Sequence, residues 1–389
     1  MNESPHPLLH AAHPGDPVDA IDTPALVIDF DAMERNIATM AAFARQHGLR
    51  LRPHAKTHKC AAIAQRHVAA GAVGVCVQKV SEGAALADAG VKDLYVSNEV
   101  IDPAKLALLA GLAQRGLRIA IAIDSALGLE RLAAAMHGVQ GRAASTFVDV
   151  FVEIDVGQGR CGVRPGAAGE LARRVVDLGD ASGLRVAGLQ AYHGRAQHLR
   201  TSAEREAAIG DAAAAVHTAR ASLAAVDVPC PLVTGAGTGS FAIEAASGVW
   251  GELQCGSYVF MDRDYADNAA QPGAPRFEHA LFVKTRVISR SDEHAVVDAG
   301  HKSHAIDSGL PVVWGRDGLA FANGGDEHGI VRCTSGGRGL PDLGSTLWLV
   351  PGHCDPTVNL HDVMVGVRGG LDGGTVEELL RVDARGCVR

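Results

Sequence analysis

With 389 residues, 47% apolar and 21% charged, the chain has the composition of a folded globular protein and is too apolar for a disordered or linker-like one. Its formal net charge of −8 argues against nucleic acid as a partner, because phosphate backbones are bound by basic surfaces. The length predicts two domains, or one large barrel with an appendage.

Residues 1–19 lack both the basic start and the continuous apolar core of a signal peptide. From about residue 24 to 260, short β-rich runs alternate with longer helical patterns, which is the rhythm of βαβ units. Strands are predicted over 25–29, 49–54, 74–78, 93–97, 118–123, 147–154, 185–192, 232–234 and 252–260. Helices fall between them, among them 31–46, opened by Asp31 as an N-cap, and the Ala-rich stretch 202–225. Nine strands are one more than an eight-stranded barrel needs, so one of them is expected to serve elsewhere. After about residue 275, short runs at 280–288, 295–298, 311–314, 347–350 and 363–367 are separated by Gly, Asp and Pro clusters with almost no helical period. The segment 334–344 reads as a loop. The fold class expected is therefore α/β, a (β/α)8 TIM-type barrel followed by a C-terminal, mostly antiparallel β domain. No apolar run approaches the roughly 18 residues of a membrane helix, so no membrane partner is expected. The eight cysteines form no C-x-x-C pair and no regular spacing, which fits a reduced, cytoplasmic setting.

Five constellations could carry chemistry. Lys56 ends a short apolar run in Arg52-Pro53-His54-Ala55-Lys56, and an amine at a strand end can be a Schiff-base nucleophile, a phosphate ligand or a surface charge. In Thr234-Gly235-Ala236-Gly237-Thr238-Gly239-Ser240 the alternating glycines read either as a phosphate cradle, with Thr238 and Ser240 adding hydroxyls, or as a tight turn alone. Arg160, flanked by Gly159 and Gly162, can reach inward to a ring nitrogen without giving it a proton, or pair with Glu153 or Asp155. His193, in Ala191-Tyr192-His193-Gly194, is a candidate acid or base because imidazole titrates near neutral pH. Finally, in an extended segment His353 and Asp355 point to one face and can converge on a divalent cation, with Cys354 turned away; a different register would pair Cys354 with His361. The Asp326-Glu327-His328 run is discounted.

Together with Gln254-Cys255-Gly256-Ser257-Tyr258, these motifs in this order resemble the D-threonine aldolase and D-serine dehydratase family of fold-type III pyridoxal-phosphate enzymes, over nearly the whole chain. The resemblance implies that Lys56, and not Lys59, holds pyridoxal 5′-phosphate covalently. It implies that Gly237, Thr238 and Gly239, with Gly256, Ser257 and Tyr258 on the eighth strand, hold the phosphate, and that Arg160, with Tyr192 nearby, faces the pyridine nitrogen. Residues 1–30 would lend a strand to the β domain, 31–270 would form the cofactor-binding barrel, and 271–389 the β domain with a metal site. Within the family a His-x-Asp metal pair marks the aldolases and His-x-Cys the dehydratases, and here the pattern is His353-x-Asp355. A carboxylate ligand suits manganese, magnesium or cobalt better than zinc. The implied activity is metal-dependent retro-aldol cleavage of a small β-hydroxy-D-amino acid, D-threonine or an analogue such as D-3-hydroxyaspartate, by a homodimer with His193 as base. A dehydratase yielding a 2-oxo acid and ammonia, and a non-catalytic cofactor carrier, are the alternatives.

Overall fold

In a computed structural model that describes residues 11–138, 146–334 and 339–389, the chain divides into two units. One holds Met40–Gly256, Asn268–Pro275 and Gly386–Arg389; the other holds the described residues up to Thr39, with Ser257–Asp267 and Arg276–Arg385. The first strand, β1 (Ala25–Asp29), lies in the second unit.

In the first unit the β-rich runs become β2 (Arg50–Leu51), β3 (Val75–Val77), β4 (Asp93–Val96), β5 (Arg118–Ile123), β6 (Val148–Glu153), β7 (Leu184–Ala191), β8 (Val233–Gly235) and β9 (Glu252–Leu253). All their pairings are parallel, in the order β2-β9-β8-β7-β6-β5-β4-β3. Residues 53–55 close the ring. The Ala55 N–H donates to the Cys76 carbonyl at 2.8 Å and the Cys76 N–H to the Pro53 carbonyl at 2.9 Å. Pro53 falls on the β3 side, where it offers a carbonyl and no N–H, so regular pairing stops at Leu51 and the strand predicted over 49–54 is shorter. The strand predicted over 252–260 is likewise cut to Glu252–Leu253. Gly256 then passes so close to the His54 carbonyl that a Cβ would lie 2.6 Å from it, and Ser257–Val259 coil into a 3-10 turn.

Helices α1 (Phe30–Gln46), α2 (Ala61–Ala69), α3 (Val80–Asp88), α4 (Pro103–Gln114), α5 (Ala126–His137), α6 (Ala168–Asp177), α7 (Ser202–Ala224) and α8 (Phe241–Ser247) separate the strands. The period-2 alternation of a strand sorts its side chains between two cores. Ile119, Ile121 and Ile123 of β5 join Leu109, Leu129 and Leu132 of the helices, while Ala120 and Ala122 join Cys76, Tyr95 and Phe151. Thr201 and Glu204 cap α7 reciprocally. The N-cap expected of Asp31 belongs instead to Asp29, whose carboxylate accepts the Ala32 N–H at 3.1 Å, because α1 starts at Phe30. Asp31 accepts from Arg368 and from the Gly369 N–H.

In the second unit β1 pairs antiparallel with β10 (Leu281–Arg290) and parallel with β16 (Val363–Arg368), within a nine-stranded sheet. The other strands are β11 (Ala295–Val297), β12 (Val312–Val313), β13 (Leu319–Asn323), β14 (Gly329–Cys333), β15 (Thr346–Val350) and β17 (Thr375–Arg381), and their recorded pairings are antiparallel. Two short helices, α9 (Arg263–Ala266) and α10 (Cys354–Val358), complete it. The loop expected over 334–344 lies partly outside the described residues. No described helix is long and apolar enough to cross a membrane.

Lys284 of β10 is fully buried, and its ammonium donates to the carbonyls of Val18, Asp19 and Ile21 at 2.8, 3.1 and 2.7 Å. Replacing it with methionine removes three hydrogen bonds to backbone carbonyls, of which Val18 keeps the Ile21 N–H, at a cost of about 2 kcal/mol. Lys284→Met should therefore lower the thermal midpoint and open the chain to protease near residues 18–21. An unchanged midpoint and cleavage pattern would contradict this anchoring.

Candidate active site

The two lysines of the opening motif have different fates. Lys59 is buried in an ion pair with Glu82 and sits in the left-handed region at φ +49°, which costs a non-glycine residue about 1 kcal/mol. Lys56 is half-buried just past the closing bridge, and its N–H donates to His54 Nδ1 at 3.4 Å. His54 Nε2 lies within 3.0 Å of Gln78 Nε2 and 3.2 Å of Ser97 Oγ. Lys56 thus leaves the C-terminal end of a barrel strand, where active sites of such barrels form.

Tyr192 and His193 follow β7 directly. His193 is buried, its Nδ1 accepts the Ala196 N–H at 3.3 Å, and its Nε2 lies 3.3 Å from where a Cβ on Gly157 would stand. Burial holds its pKa below the ordinary imidazole range, opposed by the nearby Asp155 carboxylate. The ring is then neutral near pH 7. The Ala196 contact puts its proton on Nε2, so accepting a second group's proton there requires the proton to move to Nδ1. The loop after β6 is tied to the same turn, since the Gly194 N–H donates to Gln158 Oε1 at 2.7 Å. Arg160 in that loop is exposed, with its guanidinium 5.9 Å from the centre of the Tyr192 ring. Asp155 accepts the N–H groups of Gly157 and Gly159 within its own turn. Glu153, at the end of β6, is pushed up to about 9, first by burial and then by the charge of Glu99, so it is a neutral acid at pH 7.

After β8 the chain enters the glycine turn through Ala236 at φ +69°, a left-handed alanine held by its surroundings. Thr238 is buried within the turn. Ser240, read from sequence as a further phosphate donor, is committed elsewhere: its hydroxyl donates to Glu244 and accepts from Gln197. Gly256 precedes the 3-10 turn that carries Ser257 and Tyr258, both buried and not on the eighth strand as expected.

His353 and Asp355 do come together, with Nε2 and Oδ2 3.8 Å apart, but not by strand geometry. His353 is the extended N-cap of α10 and Asp355 lies in its first turn. His353 Nδ1–H donates to Asp307 Oδ2 at 2.7 Å, which aims Nε2 at the Asp355 carboxylate. Burial opposes a charge on this imidazole, but the carboxylates of Asp355 and Asp307 outweigh it and push its pKa up to about 9. Such a field also favours a metal cation. Asp262 Oδ2 accepts the Cys354 N–H at 3.0 Å and fixes the turn, while the Cys354 side chain is buried. His361 is engaged by the Ser303 carbonyl, so the alternative Cys354–His361 register does not form. Asp326 and Glu327 pair with Lys302 at the surface. Gln197, Asp307 and Asp262 were invisible to motif reading, because their roles depend on partners 42 to 92 residues away.

Residues 28–264 match the family described as the alanine racemase N-terminal domain, and residues 280–367 match a serine dehydratase domain. A D-threonine aldolase from Arthrobacter sp. is 46% identical over 380 residues, 97% of this chain and 96% of the relative. The chain belongs to the alanine racemase-like family, in the branch with a serine dehydratase-type C-terminal domain. Within it, a 3-hydroxy-D-aspartate aldolase from Paracoccus denitrificans strain Pd 1222 is 43% identical over 387 residues, 96% of this chain and 95% of the relative. The crystal structure of the D-threonine aldolase from Filomicrobium marinum superposes with a TM-score of 0.91 at 49% identity, covering 97% of this chain and 100% of that one. A D-threo-3-hydroxyaspartate dehydratase from Delftia sp. strain HT23 is more distant, 30% identical over 362 residues, 87% of this chain and 92% of the relative.

Family membership implies pyridoxal 5′-phosphate, and the donor set fits it. An amine, a hydroxyl-bearing glycine turn and a guanidinium all follow the C-terminal ends of barrel strands. The second unit's donors fit a divalent cation. An imidazole and a carboxylate converge, and the imidazole's other nitrogen is held by a second carboxylate, the usual arrangement behind a metal-binding histidine. Among the described residues no larger His, Cys, Asp and Glu cluster suits a metal, so this is a two-residue set. Asp307→Ala should weaken Mn2+ binding about 10- to 100-fold in a calorimetric titration while leaving the thermal midpoint of the metal-free protein within a few degrees. Unchanged affinity would remove Asp307 from the site.

Proposed function

We propose that this protein is a pyridoxal 5′-phosphate- and divalent-metal-dependent lyase that cleaves β-hydroxy-D-amino acids by a retro-aldol reaction. D-threonine, or an analogue such as D-3-hydroxyaspartate, would give glycine and an aldehyde. The observation that carries this reading is the convergence of His353 with a carboxylate, Asp355, rather than with a thiol. The full-length aldolase relatives support the same choice.

When bound, pyridoxal phosphate supplies an electron sink for the charge left on Cα, and the metal supplies a Lewis acid at the β-oxygen. Lys56 is assigned the covalent hold on the cofactor, and its place past the C-terminal end of a barrel strand supports it. Gly237, Thr238 and Gly239 are assigned its phosphate. Arg160 is assigned the cofactor's ring nitrogen, to which a guanidinium that stays protonated would donate a hydrogen bond without giving up a proton; its stacking near Tyr192 supports the assignment. His193 is assigned the β-hydroxyl proton, which it would take at Nε2 with its own proton moved to Nδ1 and the Ala196 N–H released. His353 and Asp355 are assigned the metal, and the oxygen ligand favours manganese, magnesium or cobalt over zinc. We further read the protein as a cytoplasmic homodimer; its eight unbridged cysteines support the compartment and the family resemblance supports the dimer.

Incubation with D-threonine should release glycine and acetaldehyde in equal amounts, and Lys56→Ala should release neither. 2-Oxobutyrate with ammonia would establish the dehydratase reading instead. Chelation should abolish turnover, with Mn2+, Mg2+ or Co2+ restoring it better than Zn2+; full activity after chelation would contradict the metal assignment. The depressed pKa of His193 gives a sign for the pH profile. A base works while unprotonated, so at saturating metal kcat/KM should persist as pH falls through about 6.5, the ordinary imidazole value, and be lost only below it. A loss centred above that value would exclude His193 as the base.

A further inference from the structure

Gln197 belongs to no motif, yet it is fully buried and every polar atom of its side chain is engaged. Its Oε1 accepts the Gly239 N–H at 2.9 Å. Its Nε2 donates to Ser240 Oγ at 2.7 Å and to the His193 carbonyl at 3.2 Å. Its own carbonyl accepts from Asn268 Nδ2 at 2.8 Å, which anchors the residue from a third segment. The glycines of the turn are shaped around it. A Cβ on Gly237 would lie 2.4 Å from Gln197 Oε1, and one on Gly239 would lie 2.5 Å from the Gln197 carbonyl oxygen. One carboxamide therefore holds the loop after β8 and, through its backbone position in the turn 194–198, the segment after β7 that orients the His193 ring through Ala196. A planar amide with both ends bonded cannot follow one partner without pulling on the other.

We propose that Gln197 is a positioning residue that couples the glycine loop 237–240 to His193, so that occupancy of the loop by a phosphate group and the setting of the imidazole change together. The inference rests on the roles assigned above to that loop and to His193. It adds a specific consequence: the cofactor's phosphate end organises the proton-transfer group directly through the protein.

The test uses the full-length protein, labelled with 15N-histidine and freed of cofactor by dialysis against hydroxylamine, which displaces an aldimine. The His193 ring signal is identified by its absence in His193→Ala. Titration with pyridoxal 5′-phosphate should shift that signal in the wild type, and Gln197→Met, which removes all three side-chain bonds, should abolish the shift while weakening cofactor binding about tenfold, the effect of releasing the Gly239 N–H. At saturating cofactor and Mn2+, Gln197→Met should also lower kcat about tenfold, but less than about twofold when His193 is already alanine, since coupled residues are non-additive. A wild-type His193 signal that ignores the cofactor, or one that still shifts in Gln197→Met, overturns the coupling. Equal losses of kcat in both backgrounds do the same. If Gln197→Met does not fold, Gln197→Glu, which keeps the acceptor for Gly239 but loses both donated bonds, must lose the shift. Should His193→Ala retain full kcat, the base assignment falls, and the nuclear resonance titration still decides the coupling.

Discussion

Arg52 is buried between two carboxylates, with Nε 3.2 Å from Glu252 and Nη1 bonded to Asp93, at the point where the parallel ring closes. Burial opposes its charge, but Glu252 and Asp93 outweigh the penalty and hold the guanidinium above its usual pKa. Space for the pair exists because residue 74 is glycine; a Cβ there would lie 2.7 Å from Arg52 Nη1 and 2.6 Å from Asp93. From Glu252 the contact runs on through Thr234, Gln254 and Gln190 to the Tyr95 hydroxyl in bonds of 2.7 to 2.9 Å, so these side chains form one connected network. Removing one partner of a buried pair of this kind costs about 3–5 kcal/mol. With residues 52–55 fixed on both flanks, the chain has no freedom over where Lys56 emerges.

The two units set the protonation of their candidate groups by opposite means. In the barrel, desolvation keeps groups neutral: it lowers His193 and raises Glu153, so proton carriers stand uncharged near pH 7. In the β unit, charge dominates: Asp307 and Asp355 press a positive charge onto His353 despite its burial. Neutral proton carriers suit proton transfer, and an anionic cluster suits a cation. That contrast is a physical basis for assigning the cofactor chemistry to one unit and the metal to the other.

Much of this was legible in the sequence. Short β-rich runs separated by helical ones exposed the parallel barrel, because the composition of each run is a local property. The choice of Lys56 over Lys59 came from resemblance, and the physical reason, the Glu82 ion pair, spans 23 residues. Strands β13, β14 and β17 escaped notice because each carries residues poor in β propensity, Ala and Asn in β13, Gly in β14 and two Glu in β17, and becomes a strand by pairing. The His353–Asp355 pair was found for an incorrect local reason: both an extended segment and a helix N-cap bring i and i+2 side chains together, and only the Asp262 bond to Cys354 selects the second. Gln197 and Asp307 left no local trace, since a side chain that acts through distant partners has no spacing to read.

The most direct test of the central claim is to load the protein with pyridoxal 5′-phosphate, reduce it with borohydride, digest it and locate the modified lysine by mass spectrometry. The closed barrel predicts the cofactor on Lys56 in the wild type and no fixed adduct in Lys56→Ala. An adduct on Lys59, or wild-type labelling that survives Lys56→Ala, would contradict the account.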